Sequence, residues 1–111
     1  MSLLKDKVAI VTGGNGGIGL GIAEGLADQG ATIIIAARNE EKNKDAIKKN
    51  KFSSKDSETF KLDVNDQDSI NNLMKFTTEK YGKIDILVNN AGISRRSDEP
   101  IYYLEMTGMM L

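Results

Sequence analysis

Five glycines fall within seven residues, between an apolar β-branched run and an amphipathic segment. The apolar run is Val8–Thr12, and the stretch behind it reads Gly13-Gly14-Asn15-Gly16-Gly17-Ile18-Gly19. Glycine lacks a Cβ, so such a turn can adopt positive φ angles and let a ligand lie against main-chain N–H groups. The helix that follows directs the positive end of its dipole toward the same place. The stretch therefore predicts a strand, an anion-binding turn and a helix, in that order.

Strands and helices alternate over most of the remaining chain. We predict further strands at Thr32–Ala37, Thr59–Leu62 and Ile84–Val88, and a helix at Glu40–Lys49. Another helix is predicted to begin at a capping box formed by Asn65 and Asp68 and to end at Gly82. This order predicts an α/β fold, a Rossmann-type doubly wound parallel sheet with strand order 3-2-1-4. Residues 1–93 are predicted to form the dinucleotide-binding unit, truncated after the fourth strand. Residues 94–111 have no clear period and stay unassigned.

Composition excludes several classes of function. The 111 residues carry a formal net charge of −1, which argues against a nucleic-acid surface. The sequence has neither cysteine nor histidine, which excludes disulfides, thiol and imidazole catalysis and the usual zinc sites, and no metal site is expected. Its apolar runs are too short to span a bilayer. A cytoplasmic protein without a membrane partner is the expectation.

Two glycine patterns overlap in the first turn. Gly14, Gly16 and Gly19 satisfy G-x-G-x-x-G, whereas Thr12-Gly13, Gly17 and Gly19 satisfy T-G-x-x-x-G-x-G. A P-loop is excluded because no Lys-Ser or Lys-Thr follows the glycines at the required place. The alternative to a binding loop is a tight strand–helix turn that needs glycine only for packing.

The second glycine pattern, taken with Asn89-Asn90-Ala91-Gly92, resembles the short-chain dehydrogenase/reductase family from about Lys5 to Ile93. The resemblance implies an oxidoreductase that transfers a hydride between NAD(H) or NADP(H) and an alcohol or carbonyl substrate. It also implies the positions of the cofactor-binding residues. These are Gly13, Asn15, Gly16, Gly17, Ile18 and Gly19 along the pyrophosphate and adenosine ribose, Asp63 and Val64 beside the adenine, and Asn90 after the fourth strand.

The end of the second strand bears on the choice of cofactor. A carboxylate there would bind both ribose hydroxyls of NAD and repel a 2′-phosphate, but the position holds Ala37, followed by Arg38. A guanidinium can pair with a 2′-phosphate in bidentate fashion. The sequence thus favours NADP over NAD, although the glycine turn adds no second basic residue. The alternative is that Arg38 only balances the nearby charges of Glu40 and Glu41.

No catalytic residue can be assigned. The family uses a serine and a Tyr-x-x-x-Lys, but none of Tyr81, Tyr102 and Tyr103 is followed by lysine at the fourth position. Ser94 and Ser97 lie on the wrong segment to be the catalytic serine. The chain thus resembles the cofactor-binding half of such an enzyme and is predicted to be inactive alone. The alternative is a non-catalytic dinucleotide-binding or interaction module, complete at 111 residues.

Three further features bear on the substrate and partners of the chain. Arg95-Arg96 follows Asn89–Gly92, and paired arginines at this place resemble those of sugar-acid (gluconate-type) dehydrogenases; the alternative is a solvated loop. The 3-oxoacyl-ACP reductases are a second subgroup that the chain resembles. The lysines at 42, 44, 48, 49 and 51 are interpreted as a solvated helix face rather than a nucleic-acid site. The apolar edge of the fourth strand is expected to lie open and to cause self-association.

Overall fold

A mainly parallel sheet flanked by helices carries the chain's glycine-rich turn beyond the carboxyl end of its central strand. The structure is a computed structural model that describes residues 3–50, 56–90 and 109–110. The strands and helices alternate as β1 (Val8–Thr12), α1 (Gly17–Asp28), β2 (Thr32–Ala37), α2 (Glu40–Asn50), β3 (Glu58–Lys61), α3 (Gln67–Tyr81) and β4 (Ile86–Asn89), with a last strand β5 (Met109–Met110). The strands lie in the order β3-β2-β1-β4-β5, which confirms the predicted order 3-2-1-4.

The two central strands are buried on both faces. All five residues of β1 are buried, because helices cover the sheet from either side. On one face, Val11 belongs to the same apolar cluster as Ala23 of α1. On the other face, Ile10 belongs to a second cluster with Leu73 of α3. The sheet is therefore doubly wound, as the continuous apolar runs predict.

The carboxyl ends of three strands lie level with one another. Thr12, the last residue of β1, is in register with Ala36 of β2 and with Asn89 of β4. Both pairings with β1 are parallel, so the turns after these three strands meet at the same end of the sheet. Open α/β sheets bind ligands at this end, beside the point where the strand order reverses.

The fourth strand begins two residues later than the sequence predicts. Asp85 Oδ2 accepts a hydrogen bond from the Val8 N–H at 2.8 Å, and the Asp85 N–H donates to the Val8 carbonyl at 2.9 Å. One side-chain bond thus replaces a ladder bond at the start of β4. This hydrogen bond to the carboxylate, together with Lys83, keeps the pKa of Asp85 below its usual value although burial opposes the shift.

The N-terminal cap of α3 also differs from the prediction. Asp66 is the cap residue, and its Oδ1 accepts the Asp68 N–H at 3.0 Å, so the predicted capping box from Asn65 is wrong by one residue. The predicted end is confirmed, since Gly82 has φ 80° and its N–H donates to the Thr78 carbonyl.

The edge of β4 carries the two residues of β5. Met109 and Met110 pair antiparallel with Val88 and Leu87, so the edge that was expected to be open is occupied along those two positions. The predicted domain boundary at residue 93 lies outside the described residues. Within the described residues, no helix is both long and apolar enough to cross a membrane.

Candidate functional site

The glycine turn uses positive φ angles at Gly13 and Gly17. Their φ values are 65° and 57°, whereas Gly16 is extended with φ −175°. An L side chain is strained at positive φ, so these two positions require glycine. Both belong to the T-G-x-x-x-G-x-G pattern and neither to the G-x-G-x-x-G pattern. The backbone therefore follows the T-G-x-x-x-G-x-G pattern.

The third glycine of that pattern allows a very close approach between two backbone segments. A Cβ atom on Gly19 would lie 2.2 Å from the Gly13 carbonyl oxygen and 2.5 Å from Asn90 Nδ2. Asn90 Nδ2 donates to the same Gly13 carbonyl at 3.3 Å. Three segments therefore pack together with no room for an added methyl group. They are the start of α1, the end of β1 and the residue after β4.

The first turn of α1 presents main-chain N–H groups. Its cap residue, Gly16, offers no side-chain hydrogen bond, and the first turn contains no acidic residue. An N-terminus of this kind has unsatisfied donors and a positive partial charge, which suit an anion. Ile18 in this turn is 75% exposed and does not join the core, unlike Ala23 and Ala27 of the same helix.

A threonine connects the strand ends on either side of the turn. Thr12 Oγ1 accepts the Asn90 N–H at 2.8 Å, and it lies 3.2 Å from Asn89 Oδ1, to which it can donate. These bonds join β1 to the segment after β4. Asn90 is therefore held by its main chain on Thr12 and by its side chain on Gly13.

A buried asparagine, which sequence reasoning missed, holds the middle of the turn. Asn43 is 0% exposed; its Nδ2 donates to the Ala37 carbonyl at 3.0 Å and the Phe60 carbonyl at 3.3 Å. Its Oδ1 accepts Asn15 Nδ2 at 2.8 Å. The Asn15 side chain is thus engaged by the protein itself. A signal existed, since Asn43 lies three residues before the buried Ala46 and hence on the apolar face of α2.

A cleft of about 320 Å³ lies beyond the carboxyl ends of β2 and β3. Its lining brings together two predicted residues, Arg38 and Asp63, with the exposed Lys61. The full lining is Arg38, Lys61, Leu62, Asp63, Asp66 and Ser69. Because the lining contains both cations and carboxylates, the cleft can bind both an anion and a hydrogen-bond donor.

The segment after β3 is held by hydrogen bonds between residues that are close in the sequence. Asp63 Oδ1 accepts the Asn65 N–H at 2.9 Å, and the Asp63 N–H donates to Ser69 Oγ at 3.0 Å. Val64 is half-buried and packs against the second apolar cluster. Asp63 is exposed at the cleft and is held in place by the start of α3.

Tyr81 is placed for structure rather than for proton transfer. Its hydroxyl donates to the Asp56 carbonyl. Burial raises the pKa of Tyr81 to about 12, and the charges of Glu58 and Asp56 add to the shift. A general acid or base works best with a pKa near the operating pH, so this shift is in the wrong direction. The predicted Ser94, Ser97, Arg95, Arg96, Tyr102 and Tyr103 features lie outside the described residues.

Known proteins match this sequence and fold. The short chain dehydrogenase family model matches residues 7–107. The chain is 44% identical over 95 residues to short-chain dehydrogenase/reductase 1 of Saponaria officinalis, covering 83% of this chain and 32% of that protein. A crystal structure of a short chain dehydrogenase from Bacillus anthracis aligns with a TM-score of 0.74 and 38% identity, over 78% of this chain and 36% of that one.

A second solved structure carries a ligand. It is a metagenomic short-chain oxidoreductase in complex with NADP, with a TM-score of 0.75 and 33% identity over 81% of this chain and 41% of that one. The chain spans between 32% and 47% of the length of the curated relatives that it matches. The family match covers nearly all of the chain, and the fold and the glycine pattern agree with it. The chain belongs to the short-chain dehydrogenase family.

Proposed function

We propose that this chain binds a nicotinamide dinucleotide across the carboxyl ends of β1, β2 and β4. The observation that carries the proposal is the packing of Gly19 on Gly13, which brings the N–H groups of α1 to the level strand ends. The family uses such a cofactor, and a structural neighbour is a complex with NADP.

The residues present fit a dinucleotide in size and charge. A Cβ on Gly17 would meet nothing within 4 Å, so the space in front of the turn is open to a pyrophosphate. Exposed Ile18 would be covered by the ligand, and Asn90 would border the adenosine ribose. Asp63 and Val64 would flank the adenine in the cleft, where the second carboxylate oxygen of Asp63 can accept from an exocyclic amine. Asn15 would act through its main chain, since its side chain bonds to Asn43.

The proposal includes a preference for NADP. Arg38 lies at the mouth of the adenine cleft, directly after half-buried Ala37. Within the described part of the chain, Arg38 forms no ion pair with Glu40 or Glu41. This absence supports the interpretation that the Arg38 guanidinium binds a ligand phosphate, rather than the alternative that it balances nearby surface charge. The 2′-phosphate of NADP is the group in reach of this position.

The activity proposed for the whole protein is the oxidation of an alcohol or reduction of a carbonyl. The bound nicotinamide would supply the hydride chemistry, and the described residues would bind and orient it. The printed sequence contains no Tyr-x-x-x-Lys, so the 111 residues alone are proposed to have no turnover. Measurable oxidation of any alcohol by them would contradict this assignment of the site.

Cofactor titration tests the preference. We expect Arg38→Asp to weaken NADPH binding at least tenfold, which corresponds to about 1.4 kcal/mol, and to leave NADH binding unchanged or stronger. Lys49→Asp is the matched control, because it makes the same charge change at an exposed position of α2. Unchanged NADPH affinity in Arg38→Asp would refute the preference for NADP. Failure of the unaltered chain to bind either cofactor would refute the function.

We also propose that the 111 residues self-associate through the edge of β4. Among the residues that the structure describes, the pairing with β5 covers Leu87 and Val88 only, and a two-residue ladder is short enough for another strand to displace. Light scattering after size exclusion should show a dimer or larger species that grows with concentration. A single peak with the mass of a monomer at all concentrations would contradict self-association.

A further inference from the structure

We propose that Lys42 is a second cationic residue for the adenosine 2′-phosphate, acting together with Arg38. This inference rests on the proposed function. A Cβ atom on Gly16 would lie 3.1 Å from Lys42 Nζ and 3.2 Å from Lys42 Cε. The ammonium of Lys42 thus occupies the space that a side chain at Gly16 would fill. A helix supplies the cation that the glycine turn lacks.

The main chain that carries Lys42 is fixed at two points. Asn39 Oδ1 accepts the Lys42 N–H at 3.0 Å, which caps the start of α2. The next residue is Asn43, which is 0% exposed and bonds to β2, β3 and the glycine turn. The lysine stem therefore starts from a rigid site directly beside the turn, and only its side-chain torsions remain to be ordered.

Charge supports a phosphate ligand at this place. Lys42 forms no ion pair with an acidic side chain among the described residues. Its ammonium lies beside Gly16, the cap of α1, where the helix dipole is already positive. A positive group placed against a positive helix end gains from an anion between them. A phosphate monoester carries about −1.5 to −2 charges at pH 7, which two cations match better than one.

The position of Lys42 favours the 2′-phosphate over the pyrophosphate. In Rossmann-type sheets the adenosine ribose binds beside the end of the second strand. Arg38 follows β2 directly, and Lys42 is four residues later in the first turn of α2. The pyrophosphate, in contrast, has the N–H groups of α1 as partners. The sequence-based interpretation of Lys42 as part of a solvated face therefore applies better to Lys44, Lys48 and Lys49.

Titration calorimetry on the full 111-residue chain tests this role. The ligands are NADPH, NADH, adenosine 2′,5′-bisphosphate and 5′-AMP. We expect Lys42→Gln to weaken NADPH and the bisphosphate about 5- to 10-fold, and to leave NADH and 5′-AMP within about twofold. Lys44→Gln is the matched control, since Lys44 is exposed on the same helix but lines a separate cleft with Ile47 and Ser57. It should leave all four affinities within about twofold.

The outcomes separate this inference from the proposed function. Equal losses for NADPH and NADH in Lys42→Gln would place the ammonium at the pyrophosphate and overturn the inference. Unchanged affinities in that variant, with cofactor binding by the unaltered chain, would overturn it and leave the proposed function intact. Absence of binding by the unaltered chain would remove both. Circular dichroism should show the same unfolding midpoint for both variants, because both lysines are exposed.

Discussion

Substitution of Gly19 by alanine should destabilise the glycine turn more than a glycine-to-alanine substitution at any other position of the turn. The added Cβ would lie 2.2 Å from the Gly13 carbonyl oxygen and 2.9 Å from the carbonyl carbon. An ordinary C···O contact is about 3.3 Å, so one of the two backbone segments must move by about 1 Å. Neither atom belongs to a flexible side chain, and Gly19 is buried.

The cost in unfolding free energy has two parts. Overpacking a close-packed site costs about 1 to 3 kcal/mol. The movement also breaks the Asn90 Nδ2 to Gly13 carbonyl hydrogen bond of 3.3 Å, because Asn90 Nδ2 itself would lie 2.5 Å from the new Cβ. A hydrogen bond of this kind contributes about 1 kcal/mol. The sum is about 2 to 4 kcal/mol, which for a domain of this size lowers the melting temperature by about 10 to 30 °C.

Thermal and urea unfolding followed by circular dichroism measure this loss, since the chain has no tryptophan for fluorescence. Gly21→Ala provides a control of opposite sign. Gly21 is exposed in the same helix, and its Cβ would meet nothing within 4 Å. Alanine is favoured over glycine in a helix interior by about 0.5 to 1 kcal/mol, so this variant should be more stable than the unaltered chain.

Equal stability of the Gly19→Ala variant and the unaltered chain would refute the reasoning, because it would mean that the turn relaxes without cost. The same result with lost cofactor affinity would show that the methyl group blocks the ligand only. A variant that does not fold is still informative when Gly21→Ala folds, since the two substitutions are the same in chemistry and lie two positions apart on the helix.

Two further substitutions test the connections around the sheet. Asn43→Leu should lower the unfolding free energy by about 1 to 3 kcal/mol and weaken NADPH binding, because it leaves Asn15 without its partner. The control is Asn72→Leu, since Asn72 is exposed. Equal stability of the two variants would contradict a structural role for Asn43. Asp85→Asn should lower stability at pH 7. Because the pKa of Asp85 is depressed in the folded chain, its contribution is present above the unfolded pKa of about 3.9 and is lost as the pH falls through the folded pKa. Urea titrations should show the two stability curves converging in acid, and a constant gap would contradict this.

Much of the local structure could be predicted from the sequence, because its causes are local. The bounds of β1 and β2 match the prediction, since continuous β-branched runs between turns have few other solutions. The end of α3 at Gly82 follows from the left-handed conformation that glycine adopts without cost. The order of these elements then leaves few parallel arrangements, and the predicted order 3-2-1-4 is among them.

Boundaries decided by one hydrogen bond were less predictable. The cap of α3 is Asp66 because its carboxylate reaches the Asp68 N–H, while neighbouring Asn65 has the same chemistry in the sequence. The start of β4 depends on the side chain of Asp85, which takes the place of a main-chain acceptor for Val8. The sequence pattern alone does not distinguish such alternatives, since Asn and Asp both satisfy the rule for a helix cap and a side-chain or a main-chain oxygen can accept the same N–H group.

The chain's sequence by itself determined the glycine turn, the alternation of strands and helices and the family to which they belong. Only the tertiary structure decided which side chains serve the turn. Asn43 meets Asn15 across 28 residues, and Lys42 reaches Gly16 from a helix whose pattern indicates a solvated face. These contacts arise because the crossover from β2 returns α2 to the glycine turn, and the distance between two side chains after such a crossover is set by packing rather than by spacing in the chain.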